Sequence, residues 1–249
     1  MNEIEREVKA TIKGIIDKRV KGMKAGEPNT DDLLGILLES NFKEIEQHGN
    51  KNFGTTIEEV IEESTTSVWI AGQEATSVWI VWTMILLGRH PDWQVRAREE
   101  VLQVFGDGMP EFDGLNRLKV TMILHKSLRL YSSASALRRT ITTKTKLGEL
   151  TLPAGVILYL PTILVYHVKE IWGEDAIEFK PERFSKCIST ATKGQMAVFP
   201  FGAGSRICIG LNFAMIEAKM AMAMILQHFA FELSPLYTHA PQSVITMQP

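Results

Sequence analysis

The sequence predicts a mainly α-helical fold with a minor β-sheet, and three observations carry that reading. Apolar residues recur at helical spacing through much of residues 1–131 and again over Leu211–Phe229. Alternation at period two is confined to residues 136–160. Residues 170–208 are rich in Gly, Pro and aromatics and follow neither period. With 45% hydrophobic and 22% charged residues, the 249-residue chain can bury a sizeable core. No linker-like stretch interrupts it, so residues 1–249 are expected to form one domain.

Taken in order, residues 1–25 place Ile4, Val8, Ile12, Ile15 and Ile16 on one helical face between charges. Gly26-Glu27-Pro28-Asn29 ends that helix, and Asp31 or Asp32 can cap a short one through Leu38. Residues 46–54 read as loop. Thr56 and Glu59 have capping-box spacing, predicting a long helix that reaches Gly88. Pro91 opens a helix over Asp92–Phe105, and another is expected from about Leu115 to Tyr131. Strands follow, with turns at Gly148 and Pro153-Ala154-Gly155. Leu211–Phe229 is apolar nearly all round, as a core helix is, so Met215, Met220, Met222 and Met224 read as packing. The tail reads as short extended pieces. Thr65-Thr66-Ser67-Val68-Trp69-Ile70 is echoed by Ala75-Thr76-Ser77-Val78-Trp79-Ile80.

Net charge is −2, from 27 basic and 29 acidic residues, which argues against a nucleic-acid partner. Two cysteines, Cys187 and Cys208, are too few for a disulfide scaffold and suit a reducing compartment. The N-terminus is charged, unlike a signal peptide, and the run Val78–Gly88 is too short to span a bilayer. A longer window would include Gln73 and Glu74, so the residues read as soluble.

The strongest chemical feature is Phe199-Pro200-Phe201-Gly202-Ala203-Gly204-Ser205-Arg206-Ile207-Cys208-Ile209-Gly210, directly before the apolar helix. Glycines let the backbone turn tightly and approach a bound group. A cysteine at a helix N-terminus is favoured as thiolate by backbone N–H groups and the helix dipole. Arg206 can pair with an anionic substituent. A buried structural cysteine, a nucleotide loop and a zinc site explain less. The glycines lack the third member of a dinucleotide fingerprint, and no second Cys or His stands at ligand spacing.

Phe201, Gly204, Arg206, Cys208 and Gly210 form Phe-x-x-Gly-x-Arg-x-Cys-x-Gly, which resembles the haem-binding signature of the cytochrome P450 superfamily. The resemblance implies that Cys208 is the proximal ligand of haem b (iron protoporphyrin IX), held with Phe201, Gly202, Gly204, Arg206 and Gly210. Ala71-Gly72-Gln73-Glu74-Ala75-Thr76-Ser77 looks like the family's oxygen-activating helix, with Glu74 as the acid of a proton relay. Ala75 stands where the family has Thr, and Thr76, about 100° further round the helix, is the candidate stand-in.

Lys126-Ser127-Leu128-Arg129 occupies the family's Glu-x-x-Arg, and Pro181-Glu182-Arg183-Phe184 matches its Pro-Glu-Arg-Phe. Lys126, Arg129 and Arg183 would bring three cations to a buried network that needs a carboxylate, so either the network is rearranged or the haem-bound fold is weakened. Trp172-Gly173-Glu174-Asp175-Ala176, His90-Pro91-Asp92-Trp93, Phe112-Asp113-Gly114-Leu115 and Leu226-Gln227-His228-Phe229 are similar to the plant secologanin synthase-like branch. The resemblance covers the C-terminal half of that fold. Its N-terminal anchor, hinge and early haem-contacting helix have no counterpart among these residues.

The resemblance implies insertion of one oxygen atom from O2 into an apolar small molecule, with a terpenoid as candidate. NADPH-cytochrome P450 reductase would supply the electrons. Family localisation is the cytosolic face of the endoplasmic reticulum membrane, and these residues alone would be cytosolic. The alternative is an inactive fragment or pseudogene product that keeps the haem-binding loop, as Ala75 and Lys126 suggest. A helical interaction module is a third reading, resting only on the amphipathic N-terminal helices.

Overall fold

The computed structural model describes residues 3–26, 32–48, 72–186, 188–192, 194 and 197–249. The capping box Thr56–Glu59, the helix start expected there, the first copy of the echo at 65–70, Asp31, Ala71 and Cys187 lie outside the described residues. The chain divides into two compact units, Met1–Gln73 and Glu74–Pro249.

In the first unit, α1 (Glu3–Lys24) and α2 (Leu33–His48) pack together. Ile16, Val20 and Leu38 are buried there, with Ile12, Met23, Leu34 and Phe42 around them. Asp32 caps α2: its Oδ1 accepts the Gly35 N–H at 2.7 Å, and Oδ2 pairs with Arg19 at 2.8 Å. The helix runs well past Leu38, the end expected from sequence, and residues 46–48 are helical rather than loop. Phe42, four residues beyond Leu38, extends the apolar stripe, and Lys43 pairs with Glu39 at 2.7 Å on the outer face.

The boundary at Glu74 falls just inside α3 (Gln73–Arg89), which α4 (Pro91–Phe105) follows. Pro91 opens α4, where its missing N–H costs nothing, and Gly106, at φ 56°, closes it. The single helix expected over Leu115–Tyr131 is two, α5 (Phe112–Arg117) and α6 (Val120–Leu130). Leu118 takes an extended conformation at the break. The freed N–H groups of Lys119 and Val120 donate to the Glu100 carboxylate at 2.6 and 3.1 Å. Glu100 thus caps α6 from α4, an interaction sequence spacing does not reveal. Glu100→Ala is expected to lower stability by about 1 kcal/mol, as loss of a cap does. A urea midpoint equal to the parent's would show that Leu118 alone sets the break.

β1 (Leu137–Thr140) pairs antiparallel with β4 (Ile157–Leu160), Leu137 facing Leu160, and encloses the hairpin of β2 (Thr145–Leu147) and β3 (Leu150–Leu152). Both expected turns hold, with Gly148 at φ 58° and Gly155 at φ 88°. Residues 161–208 carry short helices, α7 (Thr162–His167), α8 (Lys169–Trp172) and α9 (Ile188–Ala191), and two 3-10 turns, Pro181–Phe184 and Gly204–Arg206. These are too short to impose a period on the sequence. α10 (Leu211–His228) packs against α4, α5 and α6 through Ala218, Met222, Ala223 and Leu226. Its burial is one-sided, unlike its composition: Phe213 is 72% exposed.

The tail forms β5 (Gln242–Ser243) and β6 (Met247–Gln248). It is fastened to the core where the Trp82 indole donates to the Met247 carbonyl at 2.6 Å and the Met247 N–H to Ser133 O at 3.0 Å. Among the described residues, no helix is long and apolar enough to cross a membrane.

Candidate functional site

The loop before α10 folds around two glycines in the left-handed region, Gly202 at φ 77° and Gly204 at φ 72°. A Cβ on Gly202 would also lie 3.4 Å from the Arg206 carbonyl oxygen, whereas one on Gly204 would meet open space. Gly202 is therefore fixed by conformation and closeness, Gly204 by conformation alone. Backbone bonds close the turn: Gly202 N–H donates to Phe199 O at 2.9 Å, and Cys208 N–H to Phe201 O at 2.8 Å. The result presents Cys208 as a free, exposed thiol three residues before the first residue of α10. A side chain at Gly210 would stand 3.8 Å from the cysteine sulfur, so glycine keeps that face of the sulfur open. Helical N–H groups and the dipole of an 18-residue helix favour negative charge at this end.

Two aromatic anchors position the loop. Phe201 meets Trp79 of α3 edge to face, 6.1 Å between centroids. The Phe199 N–H donates to the Tyr166 hydroxyl at 3.1 Å, and their rings also meet edge to face. Burial pushes the Tyr166 phenol up to about 12, so it stays protonated. Tyr166 is in turn held by Arg129, whose buried guanidinium donates to the Tyr166 and Ala176 carbonyls and stacks 4.5 Å from the Trp172 ring centroid.

Around Arg129 the expected network is rearranged. Arg183 donates to Asp175 Oδ1 at 2.6 Å and to the Trp172 carbonyl at 2.7 Å. Asp175, which also pairs with Lys180 at 2.9 Å, supplies the carboxylate that position 126 lacks. Its hydrogen bonds to Lys180 and Arg183 hold its carboxyl down at about 2. Lys126 is fully buried, and its amine has no hydrogen-bond partner. Burial, reinforced by the charges of Arg129 and Arg183, lowers its pKa to about 6. At neutral pH the three-cation cluster expected from sequence is two guanidiniums and a largely neutral amine.

At the start of α3, Gly72 stands in a turn wider than the α-helix. Glu74 is half-buried, and its Oε1 accepts from the Thr246 hydroxyl at 2.8 Å and the Gln248 amide at 3.4 Å. Thr76 is buried one turn from Trp79. The alcohol in hydrogen-bond contact with the acid is thus Thr246, 172 residues away in sequence. Arg206, within the loop, is exposed. Arg139 on β1 is a further cation that sequence reasoning missed, its guanidinium 3.9 Å from where a Gly202 Cβ would be. The contact joins residues 63 positions apart in sequence, and no local motif marks it.

A glycine-bent loop that offers an exposed thiol at a helix N-terminus, carries Arg206 and is held on a helical core has the features a haem-thiolate site requires. The family profile described as Cytochrome P450 matches residues 1–246, and the chain belongs to that family. It is 62% identical over 251 aligned residues to "Cytochrome P450 CYP72A219" of Panax ginseng, and 57% over 250 to "Cytochrome P450 72A397" of Kalopanax septemlobus. It is 53% identical over 251 to "11-oxo-beta-amyrin 30-oxidase" of Medicago truncatula. Each alignment covers 100% of this chain and 48% of the relative, so the chain spans about half the length of these curated proteins.

The family's cofactor is haem, and the residues present fit it. The sulfur is exposed and unobstructed, Ile207, Ile209 and Phe213 offer exposed apolar surface nearby, and Arg139 and Arg206 can meet anionic propionates.

Proposed function

We propose that this chain carries the thiolate-ligand portion of a monooxygenase that inserts one oxygen atom from O2 into an apolar small molecule. A triterpenoid is the substrate class suggested by the relative named as an amyrin oxidase. NADPH, acting through a separate reductase at the endoplasmic reticulum membrane, is the proposed electron source. The observation that carries this reading is the exposed Cys208 thiol on its loop at the N-terminus of α10.

When bound, haem supplies the activation of O2. Cys208 would hold the iron as thiolate, its charge favoured by the α10 dipole. Phe201 and Phe199 fix the loop against α3 and Tyr166. Arg206 and Arg139 would orient the porphyrin through its propionates. Glu74, fixed at Oε1 by Thr246, would take up and release protons through Oε2, with Thr76 on the same helix as a further hydroxyl.

The test is spectroscopic. Purified chain mixed with haem, reduced and exposed to carbon monoxide, is expected to give the red-shifted Soret band of thiolate ligation. Cys208→Ser is expected to lose it. Identical spectra and haem affinity in parent and variant would end the reading. A second reading, haem binding with little turnover, is favoured by Ala75, which puts a methyl group where the family's relay has an alcohol. It predicts the same spectrum with no substrate oxidation.

A further inference from the structure

Away from the thiolate loop, α3 carries a line of aromatic side chains toward the C-terminal tail. Trp82 is fully buried and stacks on Tyr131, centroids 4.0 Å apart and planes within 6°. The Tyr131 hydroxyl lies 2.9 Å from His239 Nε2, and His239 Nδ1 lies 3.1 Å from the Tyr237 hydroxyl. The His239 ring also meets both Trp82 and Tyr131 edge to face. One turn earlier on α3, Trp79 touches Phe201 of the loop.

Packing accounts for the stack. It does not require an imidazole bridging two phenols. We propose that Trp82, Tyr131, His239 and Tyr237 form a one-electron relay, with Tyr131 the oxidisable phenol and His239 its proton acceptor. A phenol that loses an electron becomes a strong acid, so a base must already be in place. A neutral imidazole has one acceptor and one donor nitrogen. With Nε2 bare, it accepts from Tyr131 while Nδ1–H donates to Tyr237. Burial, and after it the charge of Arg89, lowers the His239 pKa and keeps the ring neutral. Burial raises that of Tyr131 and keeps the phenol protonated.

A high-potential one-electron metal oxidant takes an electron from Trp82, leaving an indole radical cation. Tyr131 returns an electron to the indole and gives its phenolic proton to His239 Nε2. The products are neutral indole, a neutral tyrosyl radical, an imidazolium and the reduced oxidant. The relay thereby moves oxidising equivalents from the core toward a partly exposed tail, where external reductants can quench them.

The test uses the 249-residue chain with an external oxidant, photogenerated ruthenium(III) tris-bipyridine, so its failure leaves the haem reading untouched. Tyr159, 64% exposed, is replaced by Phe throughout to remove the phenol most open to the oxidant. Transient absorption and electron paramagnetic resonance are expected to show a tyrosyl radical that disappears in Tyr131→Phe, which keeps the stacked ring. With Tyr131 present, His239→Phe is expected to slow radical formation about 100-fold, the lower range of a positioned base. His239→Gln, which retains a polar side chain for the tail, is expected to slow it in the same direction. An unchanged radical in Tyr131→Phe, or parent rates in both His239 variants, would overturn the relay.

Discussion

Replacing Lys126 by Met is expected to raise the melting temperature by about 10 °C, the shift that about 3–5 kcal/mol makes in a chain of this size. The buried amine has no hydrogen-bond partner and shares its surroundings with two guanidiniums. Folding therefore takes a charged, hydrated ammonium and strips it of water, its proton or both. Met keeps most of the volume and removes the penalty. Lys126→Glu is expected to stabilise at least as much, because a carboxylate there would face Arg129 and Arg183, and the haem-bound form should share the gain. A melting point at or below the parent's in both variants would refute the account.

The same group sets a pH signature. Its folded pKa of about 6 lies below the ordinary 10.5, so between these values the unfolded chain binds one more proton. Stability contributed through Lys126 therefore rises with pH across that window, by about 1.4 kcal/mol per pH unit, and is flat outside it. His125, lowered to about 4 chiefly by burial, acts in the same direction only below 6.5. Arg129, lowered to about 10 chiefly by burial, acts only above that value. Lys219, also lowered by burial, contributes in the same direction in parent and variant alike, so the gap between parent and Lys126→Met in urea isolates Lys126 and is expected to narrow as pH rises from 7 to 9. A constant gap would mean the amine stays protonated when buried.

What the sequence disclosed and what it hid follow from the range of the interactions. The loop from Phe199 to Gly210 is legible because its chemistry is local: glycines at the turns, cysteine before the helix and arginine beside it act within a dozen residues. The turns at Gly148 and Gly155 are legible for the same reason. The break between α5 and α6 is not, because the carboxylate that caps it comes from Glu100. Thr246 as the alcohol on Glu74, Asp175 as the carboxylate for Arg183 and Arg139 at the loop depend on contacts between separate elements. The apolar composition of α10 suggested burial on every side, yet Phe213 is exposed, because composition records affinity for a partner and not which partner covers it.

Arg129→Lys, conservative in charge, is expected to cost about 3 kcal/mol and to loosen the thiolate loop. The Arg129 guanidinium spans two carbonyls, those of Tyr166 and Ala176, while stacking on Trp172. An ammonium is a point donor without a stacking plane, so at least one buried carbonyl is left bare, at about 1–3 kcal/mol. The consequence travels along hydrogen bonds to the loop. Tyr166 holds the N–H of Phe199, and Phe199 starts the turn that Cys208 completes by donating to Phe201. Weakening the Tyr166 end should therefore lower haem affinity as well as melting temperature, although no atom of Arg129 belongs to the loop. Lys126→Met should partly rescue Arg129→Lys, since it removes a buried amine without a hydrogen-bond partner from the same space, and neighbours so coupled are not additive. Haem titration separates the cases. A variant that loses stability but binds haem as the parent does would show that Arg129 supports the fold without positioning the thiolate.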